Sequence, residues 1–97
     1  MPRFLMLMHG DTEEEEDLAA WEPYLAELQH GDRFDGGSSL GPGTTLRKAG
    51  APGAPTDHLV GYLIIRAPDV ETAEKLLEGN PVHRAGGTIE LRELIED

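Results

Sequence analysis

Two short segments carry almost only apolar side chains, and they restrict the possible folds more than any other feature of the chain. The first covers residues 3–8 and contains Phe4-Leu5-Met6-Leu7-Met8, and the second covers residues 59–66. Runs of this length are typical of β-strands, and an almost unbroken apolar run is typical of a strand covered on both faces. We therefore predict two strands here, the first in the middle of a sheet and the second approached closely by a neighbouring backbone at Gly61.

The segment between residues 14 and 30 has the spacing of an amphipathic helix. Its apolar residues recur every three or four positions and would share one face: Leu18, Trp21, Leu25 and Leu28. Gly31 is a natural C-cap. Pro23 lies inside this helix, so either the helix kinks there or a short first turn ends and the main helix begins at Pro23.

A second helix is predicted after residue 68. Asp69 is suited to the N-cap, and Gly79 is suited to end the helix. The buried stripe of this helix is expected to contain four residues: Val70, Ala73, Leu76 and Leu77.

Three further segments have weaker strand patterns. Residues 35–40 are rich in glycine and predict a bulged strand, and residues 44–47 predict a short additional one. Residues 48–55 carry no side chains suited to a core and predict a mobile surface loop. Residues 88–92 alternate, so Ile89 and Leu91 are expected to face the core.

The predicted order is strand, helix, strand, followed by strand, helix, strand. This order is typical of the α+β class and of the ferredoxin-like plait, in which an antiparallel sheet is covered by helices on one face. We expect a single domain over residues 1–97. Because the other face of such a sheet also needs cover, we expect a homodimer or a higher homo-oligomer.

Charge restricts the partners of the chain. It has 8 Lys and Arg against 19 Asp and Glu, which gives a net charge of −11. A field of that sign repels nucleic acid and anionic membranes, so neither is an expected partner. Residues 11–17 are mostly acidic, and we interpret them as the solvated start of the first helix rather than as a cation site.

The absence of cysteine and the shortness of the first apolar run bear on localisation. Without cysteine there is no disulfide, no thiolate nucleophile and no zinc site built on sulfur, as is usual in a reducing compartment. Five apolar residues are too few for a signal-peptide core or a membrane span. We therefore expect a cytoplasmic protein.

Two histidines are the candidate proton carriers. His9 follows the first strand, and His83 lies in the loop after the second helix. The alternative for both is a capping or solvent-exposed role in a connecting segment. The histidines are not spaced like metal ligands, so no metal and no cofactor are expected.

Three other residues are candidates for binding a ligand. Trp21 would form an apolar wall of a cleft, although a core or interface role fits its place on the helix stripe better. Tyr62 could direct its hydroxyl into the cleft or to its rim. Asn80 would be a hydrogen-bonding residue that orients a histidine or a ligand.

Taken in order, six segments resemble the YCII-related proteins, especially the branch known as DGPF-domain proteins. They cover residues 4–10 (Phe-Leu-Met-Leu-Met-His-Gly), 24–28, 36–40 (Gly-Gly-Ser-Ser-Leu), 61–65, 80–82 (Asn-Pro-Val) and 86–92. The resemblance implies a dimeric α+β barrel made of two ferredoxin-like plaits. It also implies a cleft between sheet and helices that binds a small molecule.

The chain departs from this family at two places. The Asp-Gly-Pro-Phe tetrapeptide is missing, and residues 51–58 stand in its place. Some members carry a His on the first helix and an Asp in an Asp-Pro pair, whereas the matching positions here are near Trp21 and at Asn80-Pro81. Asn cannot exchange a proton near neutral pH.

We therefore expect a protein that binds a small molecule, with weak lyase-like acid–base activity as a further expectation. The alternative is a non-catalytic homodimeric module that interacts with other proteins.

Overall fold

The protein has an α+β fold with one open, four-stranded antiparallel sheet. The structure is a computed structural model that describes residues 1–96. Its elements in chain order are β1 (Arg3–His9), a 3₁₀ turn (Leu18–Ala20), α1 (Trp21–His30), β2 (Phe34–Ser39), β3 (Leu59–Arg66), α2 (Val70–Lys75), α3 (Pro81–Arg84) and β4 (Ile89–Glu93). The strands lie in the order β2-β3-β1-β4, so the prediction that the first strand lies mid-sheet is confirmed.

The two faces of the sheet differ. On one face, Phe4, Met6 and Met8 of β1 lie opposite residues of β3 and pack with the helices to form the core. On the other face, which we call the open face, four apolar side chains are half-buried: Leu5, Leu7, Tyr62 and Ile64. The prediction that both faces of β1 are covered is therefore wrong for the single chain, because no helix of residues 1–96 packs on the open face.

The first helix begins later than predicted and without a kink. A 3₁₀ turn precedes α1, and Pro23 is the third residue of α1, where a backbone N–H would have no acceptor within the helix. Leu18 is 73% exposed, because the 3₁₀ turn does not continue the α-helical stripe. Tyr24 and Leu28 are instead the buried residues of this helix.

The acidic segment is not the start of a helix. Residues 11–17 precede the 3₁₀ turn, and Asp17 caps that turn. Both carboxylate oxygens of Asp11 accept hydrogen bonds from Thr88, which hold the pKa of Asp11 below its usual value. The backbone N–H groups of Glu13 and Glu14 donate to the carbonyl of Ala85. These hydrogen bonds hold the segment against the chain that precedes β4, and its backbone is not helical.

The glycine-rich strand is confirmed, and the additional strand is wrong. The register of β2 shifts between Phe34 and Gly37, and Gly36 has a φ of 112° at this bulge. After Leu40 the chain leaves the sheet and forms no strand until β3. Residues 44–47 have no neighbouring strand with which to pair, and Leu46 is 91% exposed. Residues 48–55 lie on the surface, as predicted.

The second half of the chain follows the prediction with three differences, the first of which is that α2 ends at Lys75 and not at Gly79. Asp69 caps α2 and Ala73 is fully buried, but Val70 is 44% exposed because it lies at the solvent-facing start of the helix. The short helix α3 was not predicted. Strand β4 has the predicted alternation, with Ile89 and Leu91 on the core side.

Candidate functional site

A cleft of about 510 Å³ lies between the sheet and the segment that contains the 3₁₀ turn and α1. Its apolar walls come from both layers, and the principal ones are Met8, Trp21, Leu25, Phe34, Leu63 and Val82. Glu16, Ser38 and Ser39 also line it. A concave, mostly apolar site of this volume with a few polar groups is typical of a small-molecule site.

Two glycines on neighbouring strands form part of the cleft wall. A Cβ atom at Gly37 would lie 2.5 Å from Cδ2 of Leu63, and one at Gly61 would lie 2.9 Å from Cε of Met8. The Leu63 and Met8 side chains therefore cover the positions that other side chains would fill. The close approach predicted at Gly61 is confirmed, since its Cβ would also lie 3.3 Å from the carbonyl oxygen of Ser38.

The Trp21 ring is held in place from two sides. Its Nε1 donates a hydrogen bond to Oε2 of Glu16, and its ring meets the Tyr24 ring edge-on with 6.0 Å between centroids. Glu16 is half-buried, whereas the other acidic residues of the 11–17 segment are exposed. The structure thus places one carboxylate and one indole together on the cleft wall.

Asn80 lies in the core rather than on the cleft wall. It is fully buried and caps α3, because its Oδ1 accepts hydrogen bonds from the N–H groups of Val82 at 2.9 Å and His83 at 3.1 Å. Its Nδ2 lies 3.4 Å from Sδ of Met6. Within residues 1–96 these partners use both ends of the amide, so the geometry gives Asn80 a structural role.

Tyr24 is a second polar group in this part of the core. Its hydroxyl donates to the carbonyl of Leu76 at 2.6 Å. Burial disfavours the phenolate and raises the pKa of Tyr24 to about 12. Tyr24 is therefore a neutral donor at physiological pH.

His9 lies on the open face, on the opposite side of the sheet from the cleft. Its Nε2 is 3.0 Å from Oε1 of Glu90, and Oε2 of Glu90 accepts a hydrogen bond from Nε of Arg92 at 2.6 Å. The bonds from Arg92 and His9 lower the pKa of Glu90, so the carboxylate stays ionised and can orient the imidazole. The ring of His58 lies 4.8 Å away, edge-on to that of His9.

His83 lies far from this pair in the fold. It is exposed on α3 and lines a shallow depression with Lys75, Glu78 and Arg84. Its backbone N–H bonds to Asn80. His9 and His83 are therefore on opposite sides of the sheet and cannot act on one bound molecule within a single chain.

The structure thus brings only part of the predicted site together. Trp21 and Tyr62 both contribute to the cleft, although the register of Tyr62 with Leu7 and Ser38 places its ring on the open face. Sequence reasoning missed Glu16 and Phe34 as lining residues. Gly61 was recognised only as a close contact, and nothing in the acidic run distinguishes Glu16 from its neighbours.

Residues 1–96 contain neither a metal-binding cluster nor a membrane-spanning helix. No group of three or more His, Asp or Glu side chains is arranged to hold a metal ion. No helix in this range has the length and apolar character needed to span a membrane.

No protein-family model matches the sequence, and no curated protein is similar enough to match it.

Proposed function

We propose that this protein binds a small organic molecule in the cleft between α1 and the sheet. The observation that carries the proposal is an open cavity of about 510 Å³ with apolar walls and a carboxylate fixed by an indole. A chain of this size has little apolar surface to spare, so a core-side cavity bounded by strand glycines is a costly feature unless a ligand fills it.

The chain offers a direct readout for this binding. Trp21 is its only tryptophan and lines the cleft, so the intrinsic fluorescence reports on occupancy. We expect phenethyl alcohol, a small neutral aromatic probe, to change this fluorescence saturably and to raise the melting temperature, because selective binding to the folded state stabilises it.

Two substitutions to phenylalanine test the location. Ser39 lines the cleft, and its register partner Gly61 places it on the core side of the sheet. Thr44 is exposed on the loop after β2 and does not belong to the lining. Ser39→Phe should fill the cleft and abolish binding, whereas Thr44→Phe should retain it. Loss of binding in both variants, or in neither, would count against the cleft.

We further propose that the chain is a YCII-related protein with a ferredoxin-like plait. The strand order β2-β3-β1-β4 and the helices on one face are compatible with that plait. The resembling segments fall on β1, α1, β2, β3, the start of α3 and β4, and the family's cleft lies between sheet and helices, as this one does.

A second candidate function is self-association through the open face, which would complete a dimeric α+β barrel. The apolar centre of this face is flanked at one end by Asp35, which pairs with Arg3 at 2.8 Å and with Arg66 at 2.7 Å. Each of these three charged groups already has a partner within the chain, so apolar contact can dominate the association.

Light scattering during gel filtration tests this association. Ile64→Lys places a charge in the centre of the open face and should convert the dimer to a folded monomer. Leu46→Lys adds the same charge on an exposed loop and should leave the dimer intact. A wild-type chain that stays monomeric at high concentration would refute the barrel and favour a heterologous protein partner for this face.

The lyase-like acid–base activity has its best support at His9. Glu90 is ionised beside it and can stabilise an imidazolium, whereas no imidazole belongs to the described lining of the cleft. We therefore propose His9, with Glu90, as the proton carrier of any such activity, in preference to His83.

A further inference from the structure

We propose that the ligand of the cleft is an amphipathic organic cation, an aromatic or aliphatic group that carries an ammonium. This inference rests on the proposed small-molecule binding and adds the chemical class of the ligand. It is derived from the charges and geometry of the cleft wall.

The charge on the cleft wall has one sign. Glu16 is the only carboxylate among the described lining residues, and none of these residues is Lys, Arg or His. The chain as a whole carries a net charge of −11. An anionic ligand would therefore enter against the field and meet no cation, whereas a cationic ligand would be attracted before and after entry.

The geometry of Glu16 suits it to pair with a ligand. Among the hydrogen bonds and ion pairs within residues 1–96, its carboxylate has one partner, Nε1 of Trp21 on Oε2. Oε1 thus remains able to accept from a ligand, and the indole keeps the carboxylate in one orientation. Because Glu16 is half-buried, a charge-assisted hydrogen bond there is less screened than one at the surface.

The apolar walls complete the requirement for an amphipathic molecule. Leu25 and Phe34 line the cleft with Trp21 and offer contact to a hydrocarbon or aromatic body. The Trp21 ring can also attract a cation over its face, and tryptophan is the best side chain for that interaction. An inorganic cation would gain the charge but would leave the apolar surface uncovered.

Three probes of similar shape but different charge test whether the cleft prefers a cation. Phenethylamine is cationic, phenethyl alcohol is neutral and phenylacetate is anionic at neutral pH. We expect the amine to bind about tenfold more tightly than the alcohol, the usual size of a hydrogen bond to a charged group, and phenylacetate to bind most weakly. Calorimetric titration of the wild-type chain measures all three.

Two matched variants locate the charge. Glu16→Gln keeps an oxygen acceptor for Trp21 but removes the charge, so it should abolish the preference for the amine over the alcohol. Glu15→Gln removes the same charge from an exposed neighbour and should preserve the preference for the amine.

Each outcome decides one question. Equal binding of amine and alcohol, or equal loss in the two variants, would refute the pairing with Glu16 while leaving the cleft as a binding site. Binding of none of the three probes would overturn the proposed cleft function, and the cation with it.

Discussion

Asn80 shows how much one buried amide contributes to this core. Replacing it with alanine removes the acceptor for two backbone N–H groups and leaves a cavity beside Met6. We expect Asn80→Ala to lower the free energy of unfolding by about 3 kcal/mol, the combined size of a lost cap and of unpaired buried groups. Urea denaturation measures this loss.

The exposed cap of α2 provides the control for this prediction. Asp69 accepts a hydrogen bond from the N–H of Thr72 but is solvent-exposed. Asp69→Ala should therefore destabilise the protein clearly less than Asn80→Ala, because water can replace the lost acceptor. Equal losses would mean that the burial of Asn80 adds nothing beyond capping.

Tyr24 predicts a specific response to alkaline pH. Its pKa is raised to about 12 in the folded state, so the unfolded chain, with a tyrosine pKa of about 10, ionises first. The contribution of Tyr24 is complete below about pH 10 and is lost as the pH rises towards 12, with a slope of up to about 1.4 kcal/mol per pH unit.

Denaturation of Tyr24→Phe across this range tests that sign. The variant should lose about 1 kcal/mol at neutral pH, because its hydrogen bond to Leu76 is gone, and should show a shallower alkaline decline than wild type. Tyr62→Phe lies on the open face and should keep the decline that Tyr24 causes. If the stability of Tyr24→Phe declined with alkaline pH in parallel with that of wild type, the proposed effect of Tyr24 burial would be contradicted.

At the residue scale, the sequence predicted types of environment better than roles. Trp21 lines the cleft, although a core or interface role fitted its place on the helix stripe better, and Asn80, expected to orient a ligand or a histidine, caps α3 from inside the core. An asparagine before a proline is a common start of a helix, but α3 was not predicted from this pair. The contact between Glu16 and Trp21 depends on how the chain turns between β1 and α1, which no local pattern records.

The bulge in β2 is the part of the sheet whose backbone conformation favours glycine, at Gly36. Gly36 has a φ of 112°, which strains any residue with a Cβ, yet within residues 1–96 no heavy atom beyond the adjacent residues lies within 4 Å of the position where that Cβ would be. We expect Gly36→Ala to lower the free energy of unfolding by about 1–2 kcal/mol through backbone strain alone.

Gly41 is a matched control for this strain. In the part of the chain that the structure describes, its Cβ position also has no heavy atom within 4 Å beyond the adjacent residues, but its φ is not positive. Gly41→Ala should be neutral or slightly stabilising, because alanine restricts the unfolded chain more than glycine does. If both variants lost the same stability in thermal denaturation, the bulge geometry would not be the cause.

Elements with strong patterns were predicted well, and those decided by tertiary contacts were not. β3 spans the predicted residues 59–66, because aliphatic side chains fill both of its faces. Residues 44–47 had a strand composition but no neighbour with which to pair. Leu18 matched the helical spacing, yet its backbone is 3₁₀ and its side chain is exposed.

For the whole molecule, the charge and the proposed dimer oppose each other. Two copies that each carry a charge of −11 repel, while the open face attracts through apolar contact. Raising the ionic strength from about 0.01 M to about 1 M shortens the Debye length from roughly 30 Å to roughly 3 Å. We therefore expect the dimer to tighten by about tenfold or more over this range, as measured by sedimentation equilibrium.

The opposite response would reveal a different interface. Ion pairs formed between two copies would weaken as salt is added, so dissociation at high salt would indicate association through the charged ends of the open face. The Ile64→Lys variant provides the monomer reference at each ionic strength.

At this scale, the order of elements predicted an antiparallel α+β sheet, and the apolar run of β1 predicted its place in the middle of that sheet. The residues that line the cleft were not predictable in the same way, because the lining depends on which side chains of separate elements face one cavity. His9 illustrates this limit: the end of a strand was recognised, but the face of the sheet was not.

Both rims of the sheet resist the addition of further strands. β2 carries its bulge at the rim, and β4 is a five-residue strand with charged side chains at Glu90, Arg92 and Glu93. Such rims discourage another chain from extending the ladder. In the proposed dimer each copy buries its open face against one other copy, which leaves no further open face for a third copy. A concentrated solution of this protein should therefore contain dimers and not growing fibres.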